Sequence, residues 1–191
     1  MNYKRLPRGY RLFETIDFVR SRRQLLIVNG LSLALAAATI FFGALYSPMD
    51  VVWRNYLDAW WILPITALLQ VLYILAHELT HGVAMFALTG VKPKYGVKPP
   101  YAYCGSTAWL DKRSHDNTAL LPAVVWGVVF GVLVQRVPSL WYWPIWTLQI
   151  SNISGSAGDF YCVVHTFRMP KKILVQDTGV RMRVFAPIEK Q

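Results

Sequence analysis

The chain has 191 residues, 54% of them hydrophobic, and carries 20 Lys and Arg against 10 Asp and Glu, a formal net charge of +10. At this length a single domain over residues 1–191 is expected. The charge alone would suit a nucleic-acid binder. The apolar residues, however, lie in runs long enough to cross a bilayer and the basic residues are sided, which argues against a soluble protein and against nucleic acid as a partner.

Residues Met1–Arg23 are basic, with Leu12, Phe13, Ile16 and Phe18 set among the charges. They read equally as an amphipathic helix lying on the membrane surface or as a solvated tail. Four apolar stretches follow, at roughly 25–46, 61–88, 118–135 and 141–165, and each is expected to be a transmembrane helix. The first lacks a small-residue cleavage site and is expected to be retained. Its Ala34–Ala38 run offers small residues for close helix packing.

Between the second and third stretches, Pro93, Gly96, Pro99, Pro100 and Gly105 punctuate short runs such as Tyr101–Cys104 and Thr107–Leu110. Aromatic and β-branched residues between turn formers predict a β-hairpin or a re-entrant loop. The third stretch begins after Asp116-Asn117, a plausible N-cap region, with Pro122 near its start. The fourth is interrupted by Ser151–Asp159, whose glycines and serines weaken a helix. In the tail, residues 166–191, the segment Ile173–Pro187 alternates around Asp177-Thr178-Gly179 as a small hairpin would. The expected fold is therefore an all-α membrane protein: four transmembrane helices, a small β-hairpin-like cytoplasmic loop and a short cytoplasmic tail.

Seven Lys and Arg precede Leu25, five lie between Gly90 and Asn117, and six follow His165; only Arg54 and Arg136 lie elsewhere. By the positive-inside rule this alternation places both termini in the cytoplasm of a multi-pass protein, in the plasma membrane if the cell is prokaryotic. The basic segments then face the anionic headgroups of the bilayer. Trp53, Trp60, Trp61, Trp141, Tyr142 and Trp143 gather at the expected outer boundary as an aromatic belt. Cys104 and Cys162 fall on the reducing side, so no disulfide is expected.

The most informative segment is His77-Glu78-Leu79-Thr80-His81, inside the second apolar stretch. HExxH on a helix puts two imidazoles on one face, where they can hold one Zn²⁺, and the glutamate can serve as general base toward a metal-bound water. Ionisable groups at membrane depth are costly without such a partner. A third protein ligand is needed, and Asp159, His115 and His165 are the candidates. His77 lies about 24 Å, and Asp159 about 27 Å, along helices running inward from Trp61 and Trp141, at 1.5 Å per residue. That match in depth favours Asp159 over the other two. The competing reading has Asp159 orienting a ligating imidazole from behind. Asn152, two turns before Asp159, either donates to a developing oxyanion or hydrogen-bonds a neighbouring helix.

HELTHG within an apolar stretch, followed by the aspartate of SGSAGD, resembles the putative zincin peptidase family, small membrane proteins similar in plan to the site-2-protease group. Lys92–Gly96, Leu120-Leu121-Pro122 and Asp177-Thr178-Gly179 extend the likeness. The resemblance implies one Zn²⁺ per chain on His77, His81 and Asp159, with Glu78 as base, and a membrane-protein or peptide substrate cut in or near the bilayer. The site-2-protease group carries prolines in its aspartate motif where this chain has Asn152-Ile-Ser-Gly-Ser-Ala-Gly-Asp159. The expected activity is that of a zinc-dependent intramembrane metallopeptidase. Its substrate would lie as an extended strand along Tyr101–Leu110, with Tyr101 and Tyr103 as substrate contacts. The alternative is a catalytically silent protein that binds metal or a client helix; the intact Glu78 argues against it.

Overall fold

The computed structural model describes residues 2–18, 20–47, 57–98, 101–179 and 181–188. Trp53 of the expected aromatic belt lies outside them, as does the Tyr101 side chain.

Among the described residues, three helices are long and apolar enough to cross a membrane. They are α1 (Arg22–Tyr46), α2 (Ile62–Thr89) and α3 (Lys112–Leu133). Their ends follow from local chemistry. Ser21 caps α1 by accepting from the Gln24 N–H, and Asp111 caps α3 by accepting from the Ser114 N–H at 2.8 Å. Gly90 ends α2 in the left-handed conformation (φ 65°), its N–H returning to the Phe86 carbonyl. The chain then continues as α4 (Ser139–Gly155) and α5 (Ala157–Phe167).

The expectation of an all-α protein with four spans is corrected. The stretch at 141–165 is two helices, α4 and α5, that meet at Ser156, and not one continuous span. Among the described residues, two antiparallel sheets stand beside the helices. Strands β1 (Tyr10–Ile16), β4 (Leu110–Asp111), β5 (Leu174–Asp177) and β6 (Met182–Pro187) form one, in the order β1-β6-β5-β4. Strands β2 (Lys94–Lys98) and β3 (Tyr101–Gly105) form the other. The basic N-terminal segment is thus neither a surface helix nor a free tail: Tyr10–Ile16 pairs with Met182–Pro187. The segments 92–113 and 173–187 hold the antiparallel pairs β2–β3 and β5–β6, while Pro99 and Pro100 lie outside the described residues.

The larger sheet draws together segments from before α1, from between α2 and α3, and from after α5. All three connections therefore lie at one end of the helices. Ile16, Val175, Val184 and Ile173 are at most 1% exposed and pack with Cys162 of α5, which fastens the sheet to that helix. A second core joins Tyr73 of α2, Phe130 of α3, and Ile145 and Leu148 of α4. Much of the helices' outward surface is apolar and uncovered. Leu33, Leu68 and Val128 are 72%, 57% and 62% exposed. Soluble monomers rarely leave such continuous apolar surface in water.

Candidate metal centre

Four residues apart on α2, His77 and His81 lie on one helical face, and both are buried. The break at Ser156 starts a new helix, and Asp159 lies in its first turn, where a helix N-terminus favours a carboxylate. Ser156 itself is fully buried, its hydroxyl donating to the Asn152 carbonyl at 2.8 Å.

The Nε2 atoms of the two histidines converge on this carboxylate. His77 Nε2 is 3.7 Å from Asp159 Oδ2, and His81 Nε2 is 3.6 Å from Asp159 Oδ1. These separations are too long for hydrogen bonds. They suit three ligands around one ion: tetrahedral bonds of about 2.0–2.2 Å hold their ligand atoms roughly 3.3–3.6 Å apart. One ligand atom from each of His77, His81 and Asp159 lies within 4.8 Å of the others. The donor set of two imidazole nitrogens and one carboxylate oxygen is one that Zn²⁺ takes.

Each imidazole is held from behind through Nδ1. His81 Nδ1 lies 3.0 Å from the Thr118 carbonyl of α3, and His77 Nδ1 lies 3.0 Å from the Tyr73 hydroxyl. Glu78, half-buried, lines a cavity of about 460 Å³ together with His77, His81 and Asp159. The Cys104 backbone N–H of β3 donates to its carboxylate. The Cys104 thiol is also buried there; burial, with the charges of Glu78 and Asp177 adding, pushes its pKa up to about 12. At neutral pH it is a neutral thiol. Burial also pushes the Asp177 carboxyl up, although His115 and the Gly179 N–H favour its charged form.

The other sequence candidates take distinct places. His115 lines the cavity, but its Nδ1 is 3.1 Å from Asp116 Oδ1 and it stands outside the three-residue cluster. His165 Nε2 is 2.9 Å from Glu14 Oε1 and ties α5 to β1. Asn152, fully buried, uses both ends of its amide: Nδ2 donates to the Ala123 carbonyl at 3.0 Å and Oδ1 accepts from the Tyr73 hydroxyl at 2.9 Å. Tyr103 lines the cavity with its ring against Gly96 and Gly179. Sequence reasoning missed Tyr73 and Thr118. Tyr73 lies one turn before His77, so the i, i+4 rule places it on the ligand face. Thr118 acts through its main chain, which no side-chain pattern reports.

No curated protein and no solved structure matches the chain. A family described as "Putative zincin peptidase" matches residues 69–174, more than half of its length and including all three clustered residues. That family implies a metallopeptidase using zinc, and the chain belongs to it.

Proposed function

We propose that the protein is an integral-membrane zinc metallopeptidase of the site-2-protease type, hydrolysing peptide bonds of membrane-associated protein or peptide substrates. The observation that carries this reading is the convergence of His77 Nε2, His81 Nε2 and the Asp159 carboxylate beside Glu78, on a helix long and apolar enough to cross a membrane. These three side chains would hold one Zn²⁺ per chain. When bound, it supplies a Lewis acid that polarises a carbonyl and makes water nucleophilic at neutral pH.

The chain's own groups do the rest. Glu78 takes the proton of the attacking water on its carboxylate and delivers it to the leaving amine. The Cys104 N–H keeps that carboxylate facing the cavity. A helical substrate hides its peptide bonds, so it must unwind before attack. The strand region Tyr101–Leu110 lies beside the cavity and supports presentation of an extended segment by strand pairing, with Tyr101 and Tyr103 as contacts. The sheet side, which carries most of the basic residues, faces the cytoplasm and anionic lipid.

A silent metal-binding protein would need the three ligands but not a carboxylate poised between them. The test is metal dependence. Purified protein stripped with a chelator and incubated with a membrane-peptide library should lose cleavage, and one equivalent of Zn²⁺ should restore it. Cleavage that persists in the stripped protein contradicts the proposal.

A further inference from the structure

A histidine binds a metal through a nitrogen that carries a lone pair, so its other nitrogen must hold the proton. In this fold one stretch of α3 decides that placement for both ligands. Pro122 lies inside α3. A residue at 122 would ordinarily donate its N–H to the Thr118 carbonyl one turn back; proline has no N–H, and its ring pushes that carbonyl away from the helix axis. Thr118 is 3% exposed, so water does not satisfy the freed oxygen. Its own hydroxyl is occupied, donating to the Ser114 carbonyl. His81 Nδ1 lies 3.0 Å from the freed oxygen. A carbonyl only accepts, so Nδ1 carries a proton, and Nε2, which faces Asp159, is the nitrogen left to bind a metal.

His77 reaches the same state by a longer route that starts five residues further along α3. The Ala123 carbonyl only accepts, so the Asn152 amide must turn its NH₂ toward it. That leaves the amide oxygen facing Tyr73, so the Tyr73 hydroxyl donates to it. With its proton committed, the hydroxyl can only accept from His77 Nδ1, 3.0 Å away.

We propose that Pro122, Tyr73 and Asn152 are positioning residues, through which the Thr118 and Ala123 carbonyls of α3 fix both ligand histidines as Nδ1–H, Nε2-ligating tautomers before metal arrives. The proposal rests on the metal reading of the site but not on peptidase activity. Loss of a partner behind a ligating histidine typically lowers metal affinity 10–100-fold. Replacing the proline by alanine restores a helical N–H and favours helix stability. Pro122→Ala should therefore weaken zinc binding while the metal-free protein melts no lower than wild type, a split that simple structural damage would not produce.

The test uses full-length protein in detergent, with two readouts. Zinc affinity is measured by chelator competition for wild type, Pro122→Ala and Tyr73→Phe. The tautomers of His77 and His81 are read in the metal-free proteins from ¹⁵N chemical shifts of the imidazoles. Wild type should show Nδ1–H at both histidines. Pro122→Ala should lose it at His81, Tyr73→Phe should lose it at His77, and each should bind zinc about 10–100-fold more weakly. Should wild type bind no zinc yet show these tautomer changes, the positioning stands and the metal reading falls. Unchanged tautomers and unchanged zinc affinity in both variants would overturn the proposal.

Discussion

Gly105 and Thr178 meet backbone to backbone: a Cβ on Gly105 would strike the carbonyl carbon and oxygen of Thr178. Next to this contact the Ser106 N–H donates to the Asp177 carbonyl at 2.7 Å. The two-stranded sheet that borders Glu78 is thereby held to the β5–β6 turn. Neither backbone can retreat without breaking that bond, so Gly105→Ala should destabilise the protein by about 1–3 kcal/mol, the usual cost of overpacking. Gly82, directly after His81, is as crowded, but by the Tyr95 ring. Tyr95 is 50% exposed and can swing outward, while alanine recovers about 0.5–1 kcal/mol of helix stability. Gly82→Ala should therefore shift stability by less than about 1 kcal/mol. Thermal unfolding of both variants in one detergent measures the contrast; equal losses would mean that Tyr95 is as immobile as Thr178.

A second expectation concerns alkaline stability. Burial, with Glu78 and Asp177 adding, raises the Cys104 thiol from 9.0 to about 12. The folded state keeps this proton while the unfolded state releases it, so stability falls as pH rises from about 9 towards 12. Below pH 9 the group contributes no pH dependence. Melting curves of wild type and Cys104→Ala should run parallel at neutral pH and diverge above pH 9, with wild type losing stability faster. Parallel curves throughout would mean that the thiol ionises alike in both states.

β1, near the start of the chain, pairs with β6, near its end, so on the proposed membrane reading both strands lie on one side of the bilayer. On the proposed reading, the concentration of Lys and Arg beside these strands marks that side as the cytoplasmic one. Single cysteines placed at positions 2 and 190, in a background lacking Cys104 and Cys162, should be shielded from an impermeant maleimide in intact cells and labelled after permeabilisation. Opposite labelling of the two positions would contradict the sheet itself.

The parts of the molecule legible in the sequence are those written at helical spacing. HExxH is local, so the shared face of His77 and His81 follows from 3.6 residues per turn. Counting residues along the two stretches brings Asp159 to the level of the histidines, although the second stretch is two helices, α4 and α5, and not the single span that the count assumed. The interruption near Gly155 was visible in its serines and glycines. The larger sheet was not legible, because β1 finds its partner at the opposite end of the chain and its alternation is broken by a bulge between Leu12 and Glu14. Nor were the groups behind the ligands read from it: Tyr73 was missed although it lies one turn before His77. The Thr118 carbonyl has no residue-type signature, and the purpose of Pro122 emerges only once α3 lies against His81.

The most direct measurement of the central claim compares Glu78→Gln with wild type for zinc content and peptide cleavage together. Glutamine keeps the size and the bond from the Cys104 N–H but cannot take a proton from water. The variant should hold one zinc per chain and melt like wild type. Its cleavage of membrane peptides should fall by at least the 10²–10⁴-fold that general acid–base catalysis typically supplies. Cleavage by Glu78→Gln at the wild-type rate, with zinc in place, would contradict the assignment of this site as a metallopeptidase centre.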